Sequence, residues 1–313
     1  MRISVCTSSV NDHGKELVSH GSAAFPIACY MDDLSASSVP WHWHEELEFA
    51  LVAEGVLSIS VGGSNITVEK GSGIFINTEI LHSMQNGEDS PCLLHSIVFH
   101  GRLVGGSIDS IFWQKYLRPL LNSAALPFAL LNQNIKWQKE ALLLAERTWQ
   151  DCAGEASGYE FSVRSTLSRI LCLLFSHCSL TETKEPTKKA LRENERIKLM
   201  LQYIHGHFSE ELTVPQIAQS ALISDSECLR CFKNTIGTSP IRYVKQYRLQ
   251  RAAELLNSST ATVTDVAAKC GFQEMSYFAR AFREFYHMSP SDYRKRHMLS
   301  KSPLMPSSSN ISL

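Results

Sequence analysis

The chain lacks any run of about 18 consecutive apolar residues, the length a helix needs to span a bilayer. Its most apolar stretches, such as Ile170 to Phe175, are far shorter. Met1 to His13 is polar and has no apolar stretch of the kind a signal peptide carries. These absences give the expectation of a cytoplasmic protein with no membrane partner. There is no disulfide framework either: the nine cysteines are odd in number and scattered, which reads as reduced thiols. Cys228 and Cys231 form a lone C-x-x-C without the second pair a structural zinc site wants, so both are expected to be small buried apolar side chains. Neither charge dominates, with 30 Lys and Arg against 31 Asp and Glu. At 44% hydrophobic and 19% charged residues, collagen-like, low-complexity and largely disordered classes are excluded. A length of 313 residues suits about two domains.

The balanced charge conceals an asymmetry. Met1 to Pro186 holds 12 basic and 20 acidic residues, whereas Thr187 to Leu313 holds 18 basic and 11 acidic. A basic C-terminal part points to a polyanionic partner. Residue patterning changes along the same division. Val56 to Val61 alternates, Gly62-Gly63 follows as a hairpin turn, and Ile74 to Ile76 and Cys92 to Phe99 are further short apolar runs. Short strands with glycine turns predict a small sandwich or barrel over 1–106. Residues 107–180 read as helical, with apolar residues at helical spacing in Ile135 to Trp149 and Tyr159 to Cys178. This dimerisation or connecting region is expected to form a dimer seam, the alternative being that its helices pack on the barrel. Residues 181–189 are polar, contain Pro186 and read as a linker. Residues 190–298 are helical again, and 299–313, rich in Ser and Pro, read as a disordered tail.

The C-terminal part contains a repeat. Thr213-Val214-Pro215-Gln216-Ile217-Ala218 matches Thr262-Val263-Thr264-Asp265-Val266-Ala267, and Arg230-Cys231-Phe232 matches Arg280-Ala281-Phe282. Ser239-Pro240 matches Ser289-Pro290, and Tyr243 matches Tyr293; the offset grows from 49 to 50 in between, a one-residue insertion. Each unit reads as helix, tight turn, helix. Thr213 with Gln216, and Thr262 with Asp265, are capping boxes, and Ser224 caps the next helix. Gly271 suits a sharp turn, with Leu222 in the equivalent slot; Gly237 and His287 occupy helix-ending positions that favour a left-handed backbone.

The second helix of such a unit fits a DNA major groove. On 224–236, Cys228, Cys231, Phe232 and Ile236 can face a core, leaving Ser226, Leu229, Arg230 and Lys233 outward. On 274–286, Tyr277, Phe278, Phe282 and Phe285 can be core, leaving Met275, Ser276, Ala279, Arg280 and Arg283 on the other side. Two tandem units with Arg at matching positions in a basic domain imply double-stranded DNA binding.

The stretch VTDVAAKCGFQEMSYFARAFREFYHMSPSDYR resembles the signature of AraC/XylS transcription regulators: an A-x-x-x-G-F turn, S-Y-F-x-R-x-F, then S-P-x-x-Y-R. The likeness covers Arg196 to His297. It implies two units contacting successive major grooves, with Ser226, Leu229 and Arg230, then Met275, Ser276, Ala279 and Arg280, as base-reading positions. Lys233, nearer the groove edge, suits phosphate. Leu222, Cys228 and His287 depart from the residues usual in that family.

In the N-terminal part, His42-Trp43-His44-x-x-x-Glu48 resembles the first motif of the cupins, and His82 falls where the second motif places its histidine, although the second motif's P-x-G is replaced by Asn77-Thr78-Glu79. Such a set could bind Fe, Mn, Ni or Zn. In AraC-type sensor domains these histidines also persist without metal chemistry, and the reading adopted has no metal and no cofactor. Trp41 and Trp43 flank the histidines as sugar-stacking aromatics flank a polar site, so Trp41, His42, Trp43, His44, Glu48 and His82 are the expected ligand-binding residues. The alternative is that they plug the barrel.

The sequence thus predicts an α+β two-domain protein: a cupin-like β-barrel followed by helices, then an all-α domain with two helix-turn-helix units. The expected function is a transcription activator responding to a small molecule, with a carbohydrate one candidate. Its expected partners are promoter DNA, RNA polymerase and a second copy of the chain. A metal-dependent cupin enzyme with a DNA-binding tail is the alternative.

Overall fold

The computed structural model describes residues 20–35, 38–61, 64–88, 91–180 and 188–299. The Gly62-Gly63 turn, most of the expected linker and the C-terminal tail lie outside these residues. The described residues form two compact units. One runs to Gly206 and takes in Thr213–Pro240; the other comprises His207–Leu212 and the chain from Ile241 onward. No described helix is long and apolar enough to cross a membrane.

In the first unit, the described strands make two antiparallel sheets. One has the order β1 (Ile27–Asp33), β8 (Leu93–Phe99), β3 (Leu47–Glu54), β6 (Gly73–Ile76), β9 (Phe128–Leu131). The other has the order β2 (Val39–His42), β7 (His82–Asn86), β4 (Val56–Val61), β5 (Ser64–Glu69). The expected barrel is therefore built as two facing sheets. Strand alternation decides what each face meets. Ala50 and Val52 of β3 join Leu57, Ile59, Val61, Met84 and Leu94 in the core between the sheets. Leu47, Phe49 and Leu51 point the other way, into a core shared with the helices. Glu48 keeps step with Ala50 and Val52, so a carboxylate is delivered among the inward side chains.

Those helices are α1 (Lys136–Gly154) and α2 (Tyr159–His177). Ala141, Ala145 and Cys152 of α1 and Val163, Leu167, Ile170 and Leu174 of α2 are fully buried in the core they share with β1, β3 and β8. Burying a Leu or Ile side chain contributes about 1.5–3 kcal/mol. Of the two roles the periodicity allowed, the buried stripes of these helices take packing on the sheet, while Phe161 and Leu143 stay exposed.

The helical region resumes at α3 (Lys188–His207), beginning two residues inside the expected linker. The first helix-turn-helix, α4 (Val214–Ser220) and α5 (Asp225–Thr235), belongs to the first unit. Helix α6 (Pro240–Ser258) leads into the second, α7 (Val263–Lys269) and α8 (Met275–Tyr286), followed by α9 (Pro290–Leu299). The inter-helix turn has four residues in the first pair and five in the second, the inserted residue implied by the repeat offset.

The capping signals operate as expected. Gln216 accepts the Thr213 N–H at 2.9 Å, and Asp265 accepts the Thr262 N–H at 3.2 Å while Thr262 Oγ1 accepts the Asp265 N–H. Ser224 Oγ accepts the Glu227 N–H. Both turns close identically. Leu222 N–H donates to Gln219 O and Ile223 N–H to Ala218 O; Gly271 N–H donates to Ala268 O and Phe272 N–H to Ala267 O. The residue at the bend is left-handed in each, Leu222 at φ 54° and Gly271 at φ 75°. His287 and Gly237 are left-handed as well. A Cβ on Gly271 would sit 2.8 Å from Ser209 O and 2.9 Å from Phe208 O, so glycine is needed there for space as well as for φ.

Candidate DNA-reading helices and effector site

Helix α5 buries Cys228, Cys231 and Phe232, the apolar positions read from the sequence; Ile236 is only half-buried. The C-x-x-C pair therefore faces a core. Ser226, Leu229, Arg230 and Lys233 are exposed. Arg230 is not isolated on that face: its guanidinium lies 3.2 Å from Glu227 Oε1 and 3.8 Å from Glu193 Oε1, and Arg196 of α3 reaches the same Glu227 oxygen at 2.5 Å.

In the second unit, α8 buries Phe278, Ala281 and Phe282 against Leu249, Leu256, Val266 and Tyr293. Ser276, Arg280 and Arg283 are exposed, and Ala279 is half-buried. Two residues depart from the expected faces. Tyr277, expected in the core, is 40% exposed, and Met275, expected outside, is half-buried against the core. Phe278, Ala281 and Phe282 fill the inward stripe, and the roughly 100° step per residue of a helix turns the position before Phe278 to its flank. There the Tyr277 ring meets the Lys245 ammonium at 5.4 Å and the Arg280 guanidinium at 5.8 Å. An open groove of about 860 Å³ beside it is lined by Lys245, Arg248, Ser276, Tyr277 and Arg280. Lys245 and Tyr277 are thus interface candidates that face assignment from the sequence missed. Arg248 is structural: it donates to Phe208 O and Glu210 O, closing the end of the segment that precedes α4.

In the sheet domain, β2, β3 and β7 bring His42, His44, Glu48 and His82 together. One ligand atom from each lies within 4.8 Å of all the others, and all four residues are buried. His42 and His82 are cross-strand partners. Each imidazole is oriented from behind: Nδ1 of His42, His44 and His82 donates to the backbone carbonyl of Pro40, Glu46 and Ile80 respectively, at 2.8–3.1 Å. A carbonyl only accepts, so Nδ1 carries the proton in each ring and Nε2 is the atom turned toward the cluster. Nε2 of His44 and of His82 each approach Glu48 Oε2 at 3.1 Å. In a neutral ring so oriented, Nε2 presents a lone pair, and a lone pair facing a carboxylate is favourable only with a proton or a cation between them. Burial alone would push the Glu48 carboxyl up, but hydrogen bonding and positive charge from His44 and His82 outweigh it and hold the group well below the usual carboxylate range. Loss of those imidazole protons would leave an anionic oxygen among three backbone-oriented imidazoles, the donor set and outer support that Zn, Fe, Mn or Ni sites use. Tetrahedral ligands with bonds of about 2.1 Å stand about 3.4 Å apart, so the side chains would draw in by roughly 1 Å to close around an ion.

The cavity at this cluster is about 20 Å³ and is also lined by His20, Tyr30, Asp32 and Ser96. That volume holds an ion or a water; organic ligands occupy hundreds of cubic ångströms. Neither Trp41 nor Trp43 lines it: Trp41 is half-buried and Trp43 is 4% exposed. Tyr30 and Asp32 were missed from the sequence. Their signal is the inward alternation of β1, in which Ala28, Tyr30 and Asp32 are buried while Met31 and Asp33 are exposed.

Two reading helices in matched units, joined to a sheet domain with an enclosed polar cluster, define a ligand-binding transcription regulator. Residues 25–143 match the AraC-like ligand binding domain and residues 217–296 a helix-turn-helix domain. The chain is 30% identical over 290 residues to the HTH-type transcriptional regulator YdeC of Bacillus subtilis, covering 91% of this chain and 97% of the relative. It is 26% identical over 286 residues to the HTH-type transcriptional activator RhaS of Escherichia coli, covering 90% and 96%. The chain belongs to the AraC/XylS family of helix-turn-helix transcription regulators. Among solved structures, ToxT from Vibrio cholerae aligns over 88% of this chain and 98% of its own at 12% identity and a TM-score of 0.45. The DNA-binding domain of AdpA, solved in complex with a target DNA, aligns over 33% and 92% at 26% identity and a TM-score of 0.32.

Proposed function

We propose that this regulator is an activator that binds promoter DNA through α5 and α8 and answers to a divalent transition-metal ion held by His42, His44, Glu48 and His82. The observation that carries the DNA half is the pair Arg230 and Arg280, placed alike in the two repeats on exposed helix faces. An Arg fork can bond guanine O6 and N7 together. The ligand half rests on the Nε2 atoms of His44 and His82 turned to Glu48, with His42 in the same cluster, in a volume fit for an ion. The same small volume supports a sensor without turnover, because an organic substrate has no room beside the donors. The activating sense is supported by the likeness to the transcriptional activator RhaS, and it makes RNA polymerase a partner. A homodimer is the natural assembly, closed symmetric pairs being the commonest oligomers, with exposed Phe161 and Leu143 as apolar contacts. The protein works in the cytoplasm, where DNA and polymerase are.

The test uses the full chain purified without an affinity tag. Metal analysis and titration with Zn²⁺ or Mn²⁺ alone should give one ion per chain, lost in His82→Ala and Glu48→Gln. Selection from random duplexes should yield a preferred site whose affinity depends on that ion. Failure to select a site defeats the regulator reading, and a selected site with no bound metal defeats the ion alone.

A further inference from the structure

Helix α3 touches both functional centres, through different flanks. At its middle, Lys198 donates to Glu79 Oε2 at 2.8 Å and stands 5.2 Å from the centre of the Trp43 ring. Both partners belong to the segments that carry the metal-binding candidates. Trp43 lies between His42 and His44 in sequence. Glu79 sits in the turn that leads to His82, held at φ 62°, with its N–H donating to His44 O at 2.8 Å. Thr78 Oγ1 donates to Glu45 O in the same place. Lys198 is therefore clasped to the two loops that any movement of His44 or His82 must shift. It is only 17% exposed, unlike a lysine left to solvent.

Toward the start of the same helix, Glu193 and Arg196, three residues apart and so on one face, engage α5. Arg196 holds Glu227, and Glu227 and Glu193 flank the Arg230 guanidinium. Lys198 follows Glu193 by five residues, about 140° round the helix. One face of α3 thus addresses the reading helix and another the effector loops. An arginine between two carboxylates is not presented to base edges, and the carboxylates add negative charge where DNA phosphates would approach.

We propose that α3 is an ionic clasp that restrains the first reading helix: while Lys198 is fastened to Glu79 and Trp43, Glu193 and Glu227 retain Arg230, and rearrangement of the two effector loops releases it. The clasp rests on the reading that α5 contacts DNA. It supplies the differential contact between two states that any ligand-driven change requires.

The experiment measures affinity of the full chain for the duplex it selects, in parent, Lys198→Met, Glu79→Gln and the double variant. Ordinary electrostatics makes a clear alternative, because removing a lysine from a DNA-binding protein weakens binding. Release of a clasp does the opposite. Lys198→Met and Glu79→Gln should each tighten binding about two- to fivefold, the scale of exposed ion pairs. The double variant should gain no more than either single one, since both break the same contact. Glu79→Gln keeps the shape of the turn and guards against misfolding; near-parental melting temperatures confirm it. A chain that selects no site overturns the DNA-reading assignment and the clasp with it. Weaker or unchanged binding by Lys198→Met and Glu79→Gln, or gains that multiply in the double variant, overturns the clasp alone.

Discussion

Gly271→Ala should destabilise the second helix-turn-helix unit while sparing the first. The substitution meets two penalties at once. A residue with a Cβ in the left-handed region costs about 1–2 kcal/mol, and the new methyl would stand 2.8–2.9 Å from the backbone oxygens of Ser209 and Phe208, which cannot rotate aside as a side-chain tip can. Forcing a methyl into a packed site adds about 1–3 kcal/mol. Stiffening of the unfolded chain returns no more than about 1 kcal/mol. The net loss is about 2–4 kcal/mol. The second unit has about 65 described residues, and a domain of that size is stable by roughly 3–10 kcal/mol at 0.05–0.15 kcal/mol per residue. The midpoint in urea should fall by about 1–2 M for a slope near 2 kcal/mol/M. The two units can be watched separately, because all five tryptophans, Trp41, Trp43, Trp113, Trp137 and Trp149, precede the second unit. Helical circular dichroism of the variant should therefore show an early transition, while tryptophan fluorescence follows the parent curve. Coincidence of both curves with the parent's, or an equal shift in both, would refute the argument from backbone space.

Leu222→Gly should stabilise the first unit by about 0.5–1 kcal/mol in urea unfolding, since Leu222 bears the left-handed backbone yet is 83% exposed and gives up little burial; a loss of stability would show that its side chain makes contacts not credited to it. Arg280→Ala should weaken binding to the selected duplex roughly 5- to 150-fold, from the about 1–3 kcal/mol of a bidentate guanine contact, with relaxed preference at one or two base pairs, whereas Lys233→Ala should weaken all sequences alike. Binding to a base-substituted series distinguishes them, and a uniform loss for Arg280→Ala would sink its base-reading role. Hydrogen bonds from Thr262 hold Asp265 below the usual aspartate range. Its capping contribution is therefore present above the ordinary value near 3.9 and lost as pH falls through its own lower one. The Gln216 cap does not titrate, so acid should fray α7 before α4, and Asp265→Asn should remove the pH-dependent part of α7's helicity; an unchanged acid profile in that variant would locate the dependence elsewhere.

Residues whose role is set by neighbours in sequence were legible before the structure. Thr213, Ser224 and Thr262 cap because the backbone groups they satisfy lie three residues on. Leu222 and His287 are left-handed because the repeat aligned them with glycines, whatever their own preference. Tyr277 was misplaced because four aromatic residues compete for an inward stripe that takes fewer, and only packing against α6 and α9 decides which one turns out. At the buried histidine cluster, His42, His44 and Glu48 stood close in motif, but Tyr30 and Asp32 arrive from β1, brought there by pairing with β8. Glu193, Arg196 and Lys198 look, in a sequence, like the solvated face of any helix. Their partners are distant in the chain, and no local pattern names them.

The two cysteines of α5 carry a consequence for chemistry rather than for packing. Burial pushes the Cys228 thiol up to about 11 and raises that of Cys231 as well. At neutral pH only about one Cys228 in 10⁴ is then the thiolate, the form that attacks peroxides, disulfides and alkylating reagents. The inward face of α5 is thereby closed by thiols that burial keeps protonated, the form least reactive toward oxidants.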